Sequence, residues 1–91
     1  MRHSSLDQAI RDALASIRVT SVADLALGAE QARKYLARGV MAAPDAPQQA
    51  LACIAAADEH LEYGELVEAR TLLTTARSFL RGRSAAVAAR A

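Results

Sequence analysis

The sequence predicts an all-α fold in which four helices form two hairpins within a single domain. Apolar residues recur every three or four positions in four separate stretches, which is the period of an amphipathic helix. No stretch alternates apolar and polar residues over the length of a strand. Glycine, proline and serine stand between the stretches, where chain reversals are expected. A chain of 91 residues suffices for one modest core, so one domain is expected over residues 1–91.

Local signals predict where the helices begin and end. Ser5, followed three residues later by Gln8, is spaced as a capping box at the start of the first helix. Gly39 is expected to stop the second helix. Pro44 disfavours helical backbone at Ala43, so the chain is not expected to be helical there. Asp45, with Gln48 three residues later, is expected to cap the third helix. The predicted organisation is a hairpin over 5–39, a linker over 40–46, a hairpin over 47–82 and a tail over 83–91 that frays.

The predicted core consists of the apolar stripe of each helix. Alanine supplies many of these positions and buries little area, so the core is marginal unless helices approach closely or pair with another chain. Residues 44 positions apart match in the two hairpins, as Ile10 matches Ile54, which is consistent with a duplicated hairpin. The expected core residues are Leu6, Ile10, Ala13, Leu14, Ile17, Leu25, Ala29, Ala32, Tyr35, Leu36, Pro47, Ala50, Leu51, Ile54, Ala57, Leu61, Leu66, Ala69, Leu72, Leu73, Ala76, Phe79 and Leu80.

Charge and cysteine content narrow the classes of function. The net charge of +1 argues against strong electrostatic binding of nucleic acid or of a membrane surface. Cys53 is the only cysteine, so no internal disulfide can form and a cytoplasmic location is expected. The longest apolar run, residues 50–57, is far shorter than the roughly 20 residues of a membrane span, and no signal-peptide pattern opens the chain. Lys34 is the only lysine, and this preference for arginine, with the abundant alanine, favours a GC-rich bacterial source.

No constellation in the sequence predicts catalysis, a metal or a cofactor. The cluster 58–60 lacks the Glu three residues before a His that di-iron bundles use, because Ala57 holds that position. A zinc site needs about four ligands, and only His3, Cys53 and His60 offer nitrogen or sulfur. No base or positive charge lies at helical spacing from Cys53 to activate its thiol. We therefore expect a protein without enzymatic activity, cofactor or metal.

Arginines on the fourth helix give the strongest argument for nucleic-acid binding. Arg70, Arg77 and Arg81 fall on one side of that helix, at spacings of seven and four. Acidic residues within 58–68 lie only a few turns away, and no aromatic residue interleaves the arginines. Acidic residues near the N-terminus of a helix and basic residues near its C-terminus also complement the helix dipole, so this placement has a structural explanation. A small nucleic-acid-binding regulator is therefore one alternative function, and a self-associating structural bundle is another.

The segment 47–82 resembles one repeat of the tetratricopeptide family, whose members are stacked helix pairs that bind peptides or partner proteins. The resemblance rests on Gly64 at the turn and on Ala69, Leu73 and Ala76 in the helix that follows. The chain departs from the family pattern at three positions, where the family often has glycine, tyrosine and proline: these are Ala57, His60 and Arg81.

The resemblance implies a small interaction module, such as an adaptor, a chaperone-like partner or an assembly subunit. The family's groove is lined by the first helix of each pair, which here implies rim contacts from the first and third helices. The partner is expected to be another protein or a second copy of the chain, with nucleic acid unlikely and no membrane. With the arginine stripe included, the predicted partner-binding residues are Arg11, Arg18, Glu59, Glu62, Arg70, Arg77 and Arg81.

Overall fold

The computed structural model describes residues 4–18 and 22–81, and it is all-α over that part of the chain. Four helices follow one another: α1 (Ser4–Ser16), α2 (Val22–Ala42), α3 (Gln48–Glu62) and α4 (Leu66–Leu80). The most extensive contacts join α1 to α2 and α3 to α4. The predicted four helices and two hairpins are thereby confirmed.

The hairpins pack side by side, so that the helices contact one another in the cyclic order α1–α2–α3–α4. Contacts of α2 with α3 and of α1 with α4 join the hairpins and are less extensive than those within each hairpin. Asp7 near the start of α1 accepts a hydrogen bond from Arg77 near the end of α4, so these two helices run antiparallel. In this arrangement α1 and α3 occupy opposite corners of the bundle.

Small and branched aliphatic side chains fill the centre of the bundle. Some matched positions of the two hairpins are buried in both, such as Ile10 and Ile54, whereas Tyr35 and Phe79 are half-buried in both. Several predicted core residues are only half-buried and pack around this centre, among them Leu14, Tyr35, Leu51, Leu66, Leu72 and Leu80. The predicted core residue Leu25 has a side chain outside the described set. The largest fully buried side chains are Leu6, Ile10, Ile17, Leu36 and Leu73.

The predicted helix boundaries need three corrections. Helix α2 does not stop at Gly39 but continues to Ala42, so the first part of the predicted linker 40–46 is helical. Pro47, rather than Asp45, occupies the N-cap of α3, and no side chain caps that helix. Ser5 lies inside α1, which begins one residue earlier. The linker also supplies core, because Ala43 and Ala46 are buried. The expected fraying tail, 83–91, lies outside the described residues.

Two glycines, Gly28 and Gly39, allow α1 and α2 to approach closely, and for Gly39 this packing role replaces the predicted role as a helix stop. A Cβ on Gly28 would overlap the carbonyl oxygen of Ser16. A Cβ on Gly39 would lie 2.6 Å from the Cβ of Ala9 and 2.9 Å from Cδ1 of Leu6. Gly28 and Gly39 are three turns apart and within about 20° of each other around α2. The chain therefore uses both to contact α1 near its two ends.

The turn between α3 and α4 is a Schellman motif, which confirms the predicted role of Gly64. Gly64 has φ of 73°, a left-handed conformation that suits a residue without Cβ. The amide of Glu65 donates to the carbonyl of His60 at 2.8 Å, and the amide of Gly64 donates to the carbonyl of Leu61 at 3.1 Å. These are the two hydrogen bonds that define the motif and satisfy the last carbonyls of a helix. The tight reversal brings Ala69 of α4 into the buried interior of the hairpin.

Candidate interaction surfaces

The joint between α2 and α3 forms an apolar groove of about 250 Å³. Its floor is made by Leu36 and Ile54, which are 1% and 3% exposed. Val40 and Leu51 are half-buried and line it further. The full lining of this apolar groove is Leu36, Ala37, Val40, Leu51, Ile54, Ala55 and Asp58. Apart from Asp58, every lining residue is aliphatic.

A charged trio closes one end of the apolar groove and joins its two helices. The Arg33 Nε donates to Oδ1 of Asp58 at 2.9 Å, and a second guanidinium nitrogen donates to the other oxygen at 3.4 Å. Glu62 adds an ion pair to the same guanidinium at 3.8 Å. The hydrogen bond from Arg33 to Asp58, with the attraction of the two carboxylates, raises the pKa of Arg33 above its ordinary value. Among the described residues that line the groove, Asp58 alone is charged, and its charge is thus already paired.

The other joint, between α1 and α4, carries an arginine face made by Arg11, Arg18, Arg70 and Arg77. Arg11, Arg18 and Arg77 line one shallow depression, and Arg18 and Arg70 line a second. Leu14 takes part in both depressions and is half-buried. The arginine face therefore has an apolar centre with guanidinium groups around it.

The arginines of this face differ in how they are held. Arg77 donates from Nε to Oδ1 of Asp7 at 2.8 Å, and both side chains are 23% exposed. Among the side chains that the structure describes, those of residues 4–18 and 26–81, no carboxylate pairs with Arg11, Arg18 or Arg70. The face thus combines one fixed, neutralised arginine with three exposed positive charges.

Acidic residues gather at a different place, around the turn that joins α3 to α4. This acidic end consists of Glu59, Glu62, Glu65 and Glu68, all exposed. Two large apolar side chains are exposed beside them, Tyr63 at 70% and Val67 at 71%. Oε1 of Glu65 lies 2.6 Å from Nδ1 of His60, which ties the side chains on either side of the turn together.

The structure brings some of the predicted partner-binding residues together and separates others. Arg11 of α1 and Arg18 just after it lie beside Arg70 and Arg77 of α4, a combination that the sequence did not predict. Arg81 is exposed at the C-cap of α4. Predicted Glu59 and Glu62 lie on α3, at the opposite corner from α1. Glu68 is about 200° from Arg70 around α4, so it does not share the arginine face.

The sequence does not predict the apolar groove, because the predicted linker includes Val40, which the structure places in α2. The available signal was its position four residues after Leu36, which continues the helical stripe past Gly39. Leu51 was predicted to be buried, whereas it is half-buried and lines the groove. An apolar period that continues past an isolated glycine indicates that the helix continues as well.

Neither Cys53 nor the acidic side chains that the structure describes belong to a metal-ligating cluster. Cys53 is half-buried against the core, and burial raises the pKa of its thiol. Among the described side chains of residues 4–18 and 26–81, no three His, Cys, Asp or Glu converge as they would around a metal ion. Over residues 4–18 and 22–81, no helix combines the length and the hydropathy that crossing a bilayer requires.

Comparison with known proteins assigns no function to these surfaces. No protein-family model, no curated protein and no solved structure matches the chain.

Proposed function

We propose that the chain is a protein–protein interaction module that takes up an amphipathic helix in its apolar groove. The observation that carries this proposal is the groove itself, an aliphatic surface where α2 meets α3, an interface less extensive than the packing within either hairpin. Grooves of this kind bind the apolar face of a helix through residues at i, i+3, i+4 and i+7. The proposed partner is a protein segment with that pattern.

The dimensions of the groove fit about two turns of a helix. From Leu51 to Asp58 its α3 wall covers seven residue-to-residue rises, which is about 10 Å along a helix. Ala37 and Ala55 are small, so a partner backbone can approach both walls. Because Arg33 already neutralises Asp58, a partner would not have to bury an unpaired carboxylate. Affinity should therefore come from apolar area and depend little on salt.

The tetratricopeptide resemblance enters this proposal in a modified form. The Schellman turn at Gly64 and the buried Ala69 and Ala76 support a hairpin of that kind. Because α1 and α3 occupy opposite corners of the bundle, we assign the partner groove to α2 and α3 instead of to the two first helices. The proposed role remains that of a non-catalytic adaptor, chaperone-like partner or assembly subunit in the bacterial cytoplasm.

Photo-crosslinking in cells tests the proposal and identifies the partner. A photoreactive amino acid is placed at Ala55, which is exposed and lines the groove, or at Ala52, which is exposed on α3 outside it. We expect one discrete adduct with a second protein from position 55 and none from position 52. Equal adduct patterns at both positions, or no protein adduct at position 55, would contradict the groove as the partner site.

A further inference from the structure

Two surfaces of this molecule carry exposed charge of opposite sign, although the net charge of the chain is only +1. The arginine face presents Arg11, Arg18 and Arg70 without ion-pair partners in the described part of the chain. The acidic end presents carboxylates around the α3–α4 turn, and Glu59 and Glu68 there are exposed and likewise unpaired over the described ranges. Each surface thus offers the opposite charge to the other.

The apolar parts of the two surfaces are complementary as well. Tyr63 and Val67 project from the acidic end and are exposed over 70% and 71% of their area. Leu14 lies half-buried among the guanidinium groups of the arginine face. A guanidinium can stack on the face of a tyrosine ring, which adds a favourable cation–π contact. Large exposed apolar side chains bordered by charge are typical of an interaction surface.

We propose that a second copy of this chain is the occupant of the arginine face, which docks the acidic end of its neighbour around Tyr63. Because the two surfaces are different parts of one molecule, the contact is head-to-tail. Such contacts leave a free surface at each end and generate rings or open chains instead of stopping at a dimer. The contact does not use the apolar groove, so it is independent of the proposed function.

A second copy fits the arginine face better than nucleic acid does. Asp7 and Asp12 lie on α1 beside the arginines, and Asp7 already neutralises Arg77. A phosphate backbone would meet those carboxylates as repulsive neighbours, whereas a protein surface with discrete carboxylates can avoid them. Because every molecule carries both surfaces, each arginine face always has an acidic end of another copy available in solution.

Sedimentation velocity of the full chain measures the proposed association directly. At about 20 mM salt the weight-average mass should rise with concentration beyond that of a dimer. At about 500 mM salt it should return to the monomer, because exposed charge pairs are screened at that ionic strength. A mass that stays at the monomer value at low salt and high concentration would overturn the proposal.

Reciprocal charge reversal then identifies the two surfaces. One variant carries Arg18→Glu with Arg70→Glu, and the other carries Glu59→Arg with Glu68→Arg. Each alone should associate at least about tenfold more weakly than the unchanged chain, because like charges face each other. An equimolar mixture should regain association, because each variant now complements the other. Thermal unfolding confirms that both variants fold.

A matched control and a competing ligand complete the test. Arg38→Glu removes an exposed arginine of α2 outside the arginine face and should leave association within about twofold of the unchanged chain, whereas Arg18→Glu should not. Failure of the mixture to associate, or an equal effect of both single variants, would overturn the proposal. Tight, salt-dependent binding of duplex DNA by a chain that stays monomeric would overturn it in favour of a nucleic-acid surface.

Discussion

Replacement of Gly28 by alanine tests the close approach of α1 and α2. The added Cβ would overlap the carbonyl oxygen of Ser16 and lie 3.2 Å from its carbonyl carbon. It would also lie 3.8 Å from Cα of Ile17. All three atoms belong to the backbone, so no change of side-chain rotamer relieves the overlap, and α1 itself must shift.

Two opposing terms decide the size of the effect. Overpacking of a tight contact costs about 1–3 kcal/mol, and a clash with backbone belongs to the upper part of that range. Alanine favours a helix over glycine by about 1 kcal/mol, which offsets part of this cost. The net expectation is a loss of about 1–2 kcal/mol. For a domain of this size, that corresponds to a fall in Tm of roughly 5–15 °C.

Thermal unfolding followed by far-UV circular dichroism measures this change, with Ala37→Gly as a control. Ala37 is exposed on the same helix, so its replacement reports helix propensity alone and should cost about 1 kcal/mol. If Gly28→Ala instead raised the Tm by the roughly 4–8 °C that propensity alone predicts, α1 and α2 would not be in close contact there.

Three further predictions concern the second hairpin. Gly64→Val should destabilise the chain by about 1 kcal/mol or more because φ is left-handed at this position, and Gly64→Asn should cost less. Urea unfolding measures both variants. If the two variants were as stable as the unchanged chain, the turn would be misassigned. Ala69→Leu should overpack the α3–α4 contact by about 1–3 kcal/mol in the same assay, whereas a neutral result would place Ala69 at the surface. Burial raises the pKa of the Cys53 thiol, so above its ordinary pKa the folded chain holds less thiolate than the unfolded chain, and stability declines as pH rises through that range. Iodoacetamide should accordingly alkylate Cys53 more slowly in the folded chain than in urea, and equal rates would show that the thiol is exposed.

The sequence predicted those features that depend on a single helix or on a local turn. The period of apolar residues defined four helices, and Gly64 marked the turn, because both signals lie within a few residues of one another. The spacing of Arg70 and Arg77 likewise placed them on one side of α4. Each of these inferences needs only the geometry of one element.

The features that the sequence did not predict depend on which helices become neighbours. Gly39 is predicted as a helix stop and Gly28 carries no prediction, because the packing role of both depends on α1 lying against them. The arginine face forms only because α4 packs beside α1, which brings Arg18 to Arg70. The apolar groove depends on α2 passing through Gly39, so that Val40 faces Leu51 across the joint between hairpins.

The central claim, that the apolar groove between α2 and α3 holds a partner helix, is tested most directly by one binding measurement. The affinity of the helix captured at position 55 is measured for the unchanged chain, for Ala55→Lys and for the matched surface variant Ala52→Lys. We predict that Ala55→Lys weakens binding by at least about tenfold, because it places an ammonium group against a desolvated apolar face. Ala52→Lys should change the affinity by less than about twofold, and salt should have little effect. Equal weakening by both variants, or an affinity that falls steeply with salt, would contradict the claim.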